Sequence, residues 1–202
     1  MSRYPTDGRP RILVFAGSTR ADSYNKKLAR ATAEALLRTG VEPTLVDLRD
    51  YPMPIYDGDL ETAEGIPPRA KAFKELLRSH DAFVIASPEY NGSFPALVKN
   101  VIDWASRPEP GEKPLEALRG KTAALVSASP GGGGGQRALR HLRELLEMIG
   151  VTVIATQVTI PRANEAFDSD GRLVRPADVE AVGRLVLDVG QAVSLQPAVS
   201  RS

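Results

Sequence analysis

Five short apolar runs, at residues 12–16, 44–48, 82–87, 122–127 and 151–157, follow one another along the chain, with a helix-like stretch between each and the next. Candidate helices cover residues 24–39, 67–79, 95–106, 136–149 and 177–193. Gly40 and Gly150 are placed as C-terminal stops, and Pro67, Pro95 and Ala177 lie near starts. This alternation constrains the fold more than any other feature. Parallel strands need long crossovers, and right-handed crossovers leave few topologies. The pattern predicts an α/β fold: a doubly wound, five-stranded parallel sheet in the order 2-1-3-4-5, with helices on both faces.

Composition narrows what such a fold can do. The 202 residues, 42% of them hydrophobic, suit a single domain, placed at residues 11–195 with flexible termini at 1–10 and 196–202. Lys and Arg total 26 against 25 acids, so a net charge of +1 gives no general field for nucleic acid or an anionic membrane. Zero cysteines exclude disulfides, thiolate metal sites, iron–sulfur clusters and a cysteine nucleophile. Any redox chemistry must therefore belong to a bound cofactor. No run approaches the roughly 20 apolar residues of a membrane span, and the N-terminal residues lack a signal-like apolar core, so a cytoplasmic protein is expected.

Ligands of doubly wound sheets bind beyond the carboxyl ends of the strands near the switch point, here the loops after the first, third and fourth strands. After the first strand the chain reads Gly17-Ser18-Thr19-Arg20-Ala21-Asp22-Ser23-Tyr24-Asn25. Unpaired amides and the dipole at the next helix's N-terminus favour an anion, so Ser18, Thr19, Ser23 and Arg20 are positioned to surround a phosphate monoester. The third loop, Ser87-Pro88-Glu89-Tyr90-Asn91-Gly92-Ser93-Phe94-Pro95, is stiffened by two prolines, and Asn91-Gly92 suits a tight turn. It offers fixed backbone groups to the polar edge of a planar heterocycle, with Tyr90 lining the cleft. Its plainer reading is a turn whose aromatic covers a sheet edge. The fourth loop, Ser127-Ala128-Ser129-Pro130 and then Gly131 to Gly135, admits close approach of a ligand to the backbone, or else is a flexible linker.

Two nucleotide signatures fail. Gly120-Lys121-Thr122 resembles the end of a P-loop, but position 115 is leucine and the triplet precedes a strand instead of opening a helix. The glycine run misses the dinucleotide fingerprint, because Gln136 or Arg137 falls where its last glycine belongs.

The first and third loops, with Lys99-Asn100, Asp103-Trp104 and the serine- and glycine-rich stretch at 127–135, resemble the NADPH-dependent FMN reductases, a family of flavodoxin-like quinone, azo-dye and chromate reductases. The resemblance spans roughly residues 11 to 160 in matching order. It implies a flavodoxin-like fold, noncovalent FMN, NADPH or NADH as electron donor, and a homodimer or homotetramer with flavin sites near subunit boundaries. On matching positions it assigns Ser18, Arg20, Ser23, Tyr24 and Asn25 to the FMN phosphate. It assigns Pro88, Glu89, Tyr90, Asn91 and Gly92 to the isoalloxazine side, and Ser127, Ser129 and Gly131 to a second wall. Five consecutive glycines exceed the usual glycine content of that loop.

Other candidates for chemistry are weaker. His80 and His141 have no metal-ligand spacing and read as surface or packing residues, so no metal site is expected. Ser18 and Ser129 lack the nucleophile-elbow pattern of hydrolases. Asp47, Asp50 and Asp57 read as solvated turn carboxylates, residues 49–65 as a long loop over the cleft or a partner, and Trp104 as core or interface. Two function classes follow: an enzyme passing two electrons from NADPH through FMN to a quinone, azo compound, free flavin or metal oxyanion, or an FMN electron carrier or redox-sensing module. Carriers favour an acidic docking face, which a net charge of +1 does not supply. Arg20, Lys26, Lys27 and Arg30 against Asp22 alone suggest NADPH over NADH.

Overall fold

In the computed structural model, which describes residues 9–194, five strands form one parallel sheet in the order β2-β1-β3-β4-β5. They are β1 (Arg11–Ala16), β2 (Glu42–Val46), β3 (Ala82–Ala86), β4 (Thr122–Ala128) and β5 (Thr152–Ile160). The termini assigned above to flexible segments lie largely outside the described residues. The α-helices among the described residues are α1 (Tyr24–Leu36), α2 (Gly58–Glu64), α3 (Pro68–Ser79), α4 (Ala96–Ala105), α5 (Gln136–Met148) and α6 (Pro176–Ser194).

The central strands β1, β3 and β4 are apolar on both faces, and each face feeds its own core. Ile12, Val14, Val84 and Val126 pack with Leu28 and Leu36 of α1 and with Leu185 and Val189 of α6. Leu13, Phe15, Phe83 and Leu125 pack on the opposite face with Phe73 of α3, Val101 of α4 and Leu142 of α5. Strand alternation therefore divides one apolar run between two helix layers.

Beyond shifts of a residue or so at element ends and a 3-10 turn closing the first helix, three departures from expectation have local reasons. The second strand begins at Glu42, two residues early, and includes Pro43; it pairs only with β1, and an edge position tolerates a residue without an amide proton. The fifth strand runs on to Ile160 through an irregularity opposite Ala123 to Leu125, where Arg143 of α5 donates to the carbonyls of Val153 and Ile154. The stretch 49–65 is not a long loop. It contains α2, whose N-terminus is capped by Asp57 accepting from the amides of Asp59 and Leu60. Asp47 likewise caps a 3-10 turn over residues 48–50 through the Arg49 amide, so two of the three aspartates read as solvated are caps.

Trp104 is fully buried within its own chain. Its indole N–H donates to the Pro54 carbonyl at 2.8 Å, and Tyr56 packs edge-on against it with ring centres 5.0 Å apart. Asn100 adds two bonds to the same segment, accepting from the Tyr56 amide and donating to the Pro54 carbonyl. The aromatic segment 51–56 is thereby fastened onto α4.

Candidate functional site

The carboxyl ends of β1, β3 and β4 bring the three loops that carry the cofactor candidates to one rim of the sheet. Gly17 turns the first loop away from β1, donating its amide to the Ala86 carbonyl. A Cβ there would stand 2.3 Å from the Val98 side chain, so only glycine lets the loop pass beneath α4. Beyond it, Ser18 and Ser23 are buried and Arg20 is exposed. The Arg20 guanidinium has no hydrogen bond or ion pair among the described residues, and its own amide donates to the Ser18 hydroxyl.

Helix α1 starts with no side-chain cap and no acidic residue in its first turn. Its leading amides and the positive end of its dipole face the loop uncompensated. Two of the sequence candidates point elsewhere. Asn25 is buried and spends both ends of its amide on Ala128, donating to that carbonyl at 2.9 Å and accepting from that amide at 3.0 Å. Tyr24 stacks on Phe167 at 6.2 Å, with the Lys27 ammonium over its ring.

The third loop is a rigid hairpin. Tyr90 and Ser93 exchange both backbone hydrogen bonds, with Asn91 at φ 53° and Gly92 at φ 81°, the left-handed pair a two-residue turn requires. Pro88 is buried, while Tyr90 is half exposed at the rim. The Glu89 carboxylate turns inward to α5, accepting from the amides of Arg137 and Ala138 and pairing with the Arg137 guanidinium at 2.9 Å. Burial alone would raise the Glu89 carboxyl, but bonds from Arg137 and the Ala138 amide outweigh it and lower its pKa.

In the fourth loop the five glycines divide into two groups. A Cβ on Gly135 would overlap the Ser127 hydroxyl, and one on Gly134 would meet the Pro161 nitrogen at 2.9 Å; both residues also have positive φ. Gly131, Gly132 and Gly133 face space, with nothing nearer than the Ser129 hydroxyl at 3.7 Å from a Cβ on Gly131. The first group is demanded by packing, and the second leaves the backbone bare. Ser127 is fully buried, and its hydroxyl has no partner. Buried hydroxyls ordinarily find one, so this oxygen is left with hydrogen-bonding capacity to spare at the base of the fourth loop.

Sequence reasoning missed Arg137. The signal was present: a cation in the first turn of α5 opposes the helix dipole, which implies an acidic partner nearby. The electropositive set at 20–30 is also weaker than its composition suggests, because Lys26 pairs with Asp47 at 2.8 Å and Lys27 with Asp22 at 2.7 Å. Burial would raise the Asp47 carboxyl, yet hydrogen bonds from Lys26 and Arg49 hold it at about 2.

Comparison with known proteins gives these features a family. The NADPH-dependent FMN reductase model matches residues 10–165. The chain belongs to the NADPH-dependent FMN reductase family. An NAD(P)H-dependent FMN reductase of Pseudomonas aeruginosa is 39% identical over 165 residues, covering 81% of this chain and 84% of that protein. A probable NADPH:quinone oxidoreductase of rice, Oryza sativa subsp. japonica, is 34% identical over 190 residues, covering 92% and 89%. Among solved structures, the flavoenzyme NAD(P)H:(acceptor) oxidoreductase FerB from Paracoccus denitrificans superposes with a TM-score of 0.78 at 26% identity, covering 92% of this chain and 97% of that one. The protein is thus a flavodoxin-like oxidoreductase with FMN as cofactor and NAD(P)H as electron source. Its own residues fit that cofactor: an uncapped helix N-terminus beside an unpaired arginine suits a phosphate, and a loop with the bare backbone of Gly131–Gly133 and the unsatisfied Ser127 hydroxyl at its base suits a flat polar ring.

Proposed function

We propose that this reductase passes two electrons from NADPH through FMN to a quinone, with Ser18, Arg20 and Ser23 at the FMN phosphate. Pro88 and the 89–92 backbone take one side of the isoalloxazine, and Ser127, Ser129 and Gly131 the other. The single observation that supports this placement is the contrast between two helix N-termini. That of α5 is neutralised by Glu89, whereas that of α1 is uncapped with Arg20 unpaired next to it. Tyr24 and Asn25 contribute backbone amides, since their side chains are engaged elsewhere.

The chemistry that FMN supplies when bound is hydride acceptance from NAD(P)H and two-electron delivery to the acceptor. The chain's own task is to hold the ring edge and leave one face of the cleft open for two planar partners in turn. No acid–base pair is needed for that division of labour. A quinone leads the azo, free-flavin and metal-oxyanion acceptors because relatives bear that name. Preference for NADPH over NADH rests on Arg30, exposed beside the groove lined by Asp47 and Asp50, once Lys26 and Lys27 are discounted. We further propose a cytoplasmic homodimer or homotetramer, with Ile55 and Tyr90 as exposed apolar groups for subunit contact; Trp104 and Tyr56 are spent inside the chain. Light scattering of the active protein tests assembly.

Steady-state kinetics tests the reaction. Varied NADPH against several fixed quinone concentrations should give parallel double-reciprocal lines, because donor and acceptor use the same flavin in turn. Intersecting lines would overturn the shared site. Failure to oxidise NADPH with any quinone would favour the electron-carrier reading.

A further inference from the structure

The loop after β3 is joined to α5 by a carboxylate with an unusual job. Helix α5 is preceded at its N-cap by Gly135, a left-handed residue with no side chain to cap it, and has no acid in its first turn. The cap comes from Glu89, 48 positions before Arg137. One Glu89 oxygen accepts from the Arg137 amide at 3.1 Å and the Ala138 amide at 3.3 Å. The other accepts from the Arg137 side chain, Nε at 3.0 Å and Nη2 at 2.9 Å. Ser93 and His141 approach to 3.3 Å between the same two elements. The Arg137 guanidinium also passes 4.0 Å from where a Cβ on Gly92 would stand, directly beside the hairpin turn. Four contacts thus converge on one side chain, which is more than a helix cap needs.

We infer that Glu89 is a positioning residue: it latches the hairpin at 89–93 to the N-terminus of α5 and so fixes the spacing between the two walls of the ring site. The inference rests on the ring-binding reading of those two loops. Apart from Ser127 at the end of β4, the walls lie outside regular elements, so without the latch their separation is set by the strands behind them and the longer Ser93–His141 contact. A wall free to move by about 1 Å forfeits much of the benefit of a prearranged site.

The test titrates apoprotein with FMN and with riboflavin, which has the ring but no phosphate. Glu89→Ala should weaken both ligands by the same factor, about tenfold. Glu89→Gln keeps an oxygen for the two backbone amides and should recover to within about threefold of the parent. Arg137→Ala removes the ion pair, leaves the backbone cap, and should weaken both ligands about threefold; this variant serves if Glu89→Ala does not fold. Amide exchange at 90–93 in the apoprotein should quicken in Glu89→Ala while β1 stays protected. Unchanged riboflavin affinity in the folded variants, whatever their melting temperature, would overturn the latch. In the parent protein, absence of FMN-induced protection at 90–93 would instead overturn the ring-site reading itself.

Discussion

The two edges of the sheet treat polar groups in opposite ways. At the amino edge, the cations Lys74, Lys121 and Arg78 are each held by protein partners. Lys74, only 2% exposed, donates to Glu112 and to the Arg107 carbonyl; Lys121 donates to the Arg78 and His80 carbonyls; Arg78 pairs with Glu112 at 2.6 Å. His80 is buried there as well, its Nδ1 donating to the Leu76 carbonyl and its Nε2 meeting the Thr44 hydroxyl at 2.7 Å. At the carboxyl edge, the Ser127 hydroxyl, the Arg20 guanidinium and the α1 N-terminus have no protein partner among the described residues. The named polar groups at the first edge are engaged within the protein, whereas these three at the second are the ones the proposed function gives to the cofactor. Charge counts would never separate the two, since both edges are rich in basic residues.

The contrast breaks first at Lys74. Lys74→Ala takes one of two cations from the half-closed Glu112 carboxylate, which keeps Arg78 at 2.6 Å and the Glu109 amide, and leaves the Arg107 carbonyl without its donor, so the cost should be about 3 kcal/mol, the low end of the range for breaking a buried pair. Chemical denaturation should register that loss with FMN affinity of the folded fraction unchanged; a coupled drop in affinity would show that the edges are not independent.

Arg20→Ala tests the opposite edge. It should lower FMN affinity roughly tenfold or more, equivalent to about 1.5–3 kcal/mol for a charge-assisted contact, and leave riboflavin affinity and the denaturation midpoint alone. Equal FMN affinity in a fluorescence titration would remove the phosphate assignment.

Acid sharpens the amino edge. Burial, with Arg11 and Lys121 nearby, pushes the His80 pKa down from 6.5 to about 4, against the Leu76 carbonyl, which favours the charged ring. The native ring therefore stays neutral while the unfolded chain takes up a proton, so this contribution is full above pH 6.5 and fades as pH falls toward 4. Between pH 6.5 and 5, where carboxylates remain ionised, about 1.5 kcal/mol should disappear. His80→Gln should flatten the slope; an unchanged slope would place the proton uptake elsewhere.

The smallest effect has two signs. Ser127→Ala deletes a buried hydroxyl without a partner, so the apoprotein should gain up to about 1 kcal/mol, while FMN binding weakens severalfold. Loss of apoprotein stability would mean that the hydroxyl already has a partner of its own.

Much of this was legible beforehand. Strand order, both helix layers and the gathering of three loops at one rim follow from apolar runs in the central strands, which permit no solvent-facing side. Helix α2 escaped because seven residues carry too little periodicity, although Asp57 followed by Asp59 and Glu61 is the signature of a helix start. The split of the glycine run was invisible for another reason. Gly132 and Gly135 are identical letters, and only Ser127, opposite one of them, distinguishes a packing requirement from bare backbone. Likewise, Asn25 looks like a ligand residue in a phosphate loop until Ala128 appears beside it.

That last pairing bears on the order in which the molecule comes into being. Asn25 and Ala128 are 103 positions apart, and Glu89 waits on Arg137. A ribosome that has released the whole first loop has not yet made the strand that fastens it. Contacts this distant in sequence form late and slowly compared with local ones. The nascent chain can therefore fasten both loops only after α5 has emerged, and on the proposed placement of FMN the appearance of yellow colour during synthesis would time completion of the sheet's central half.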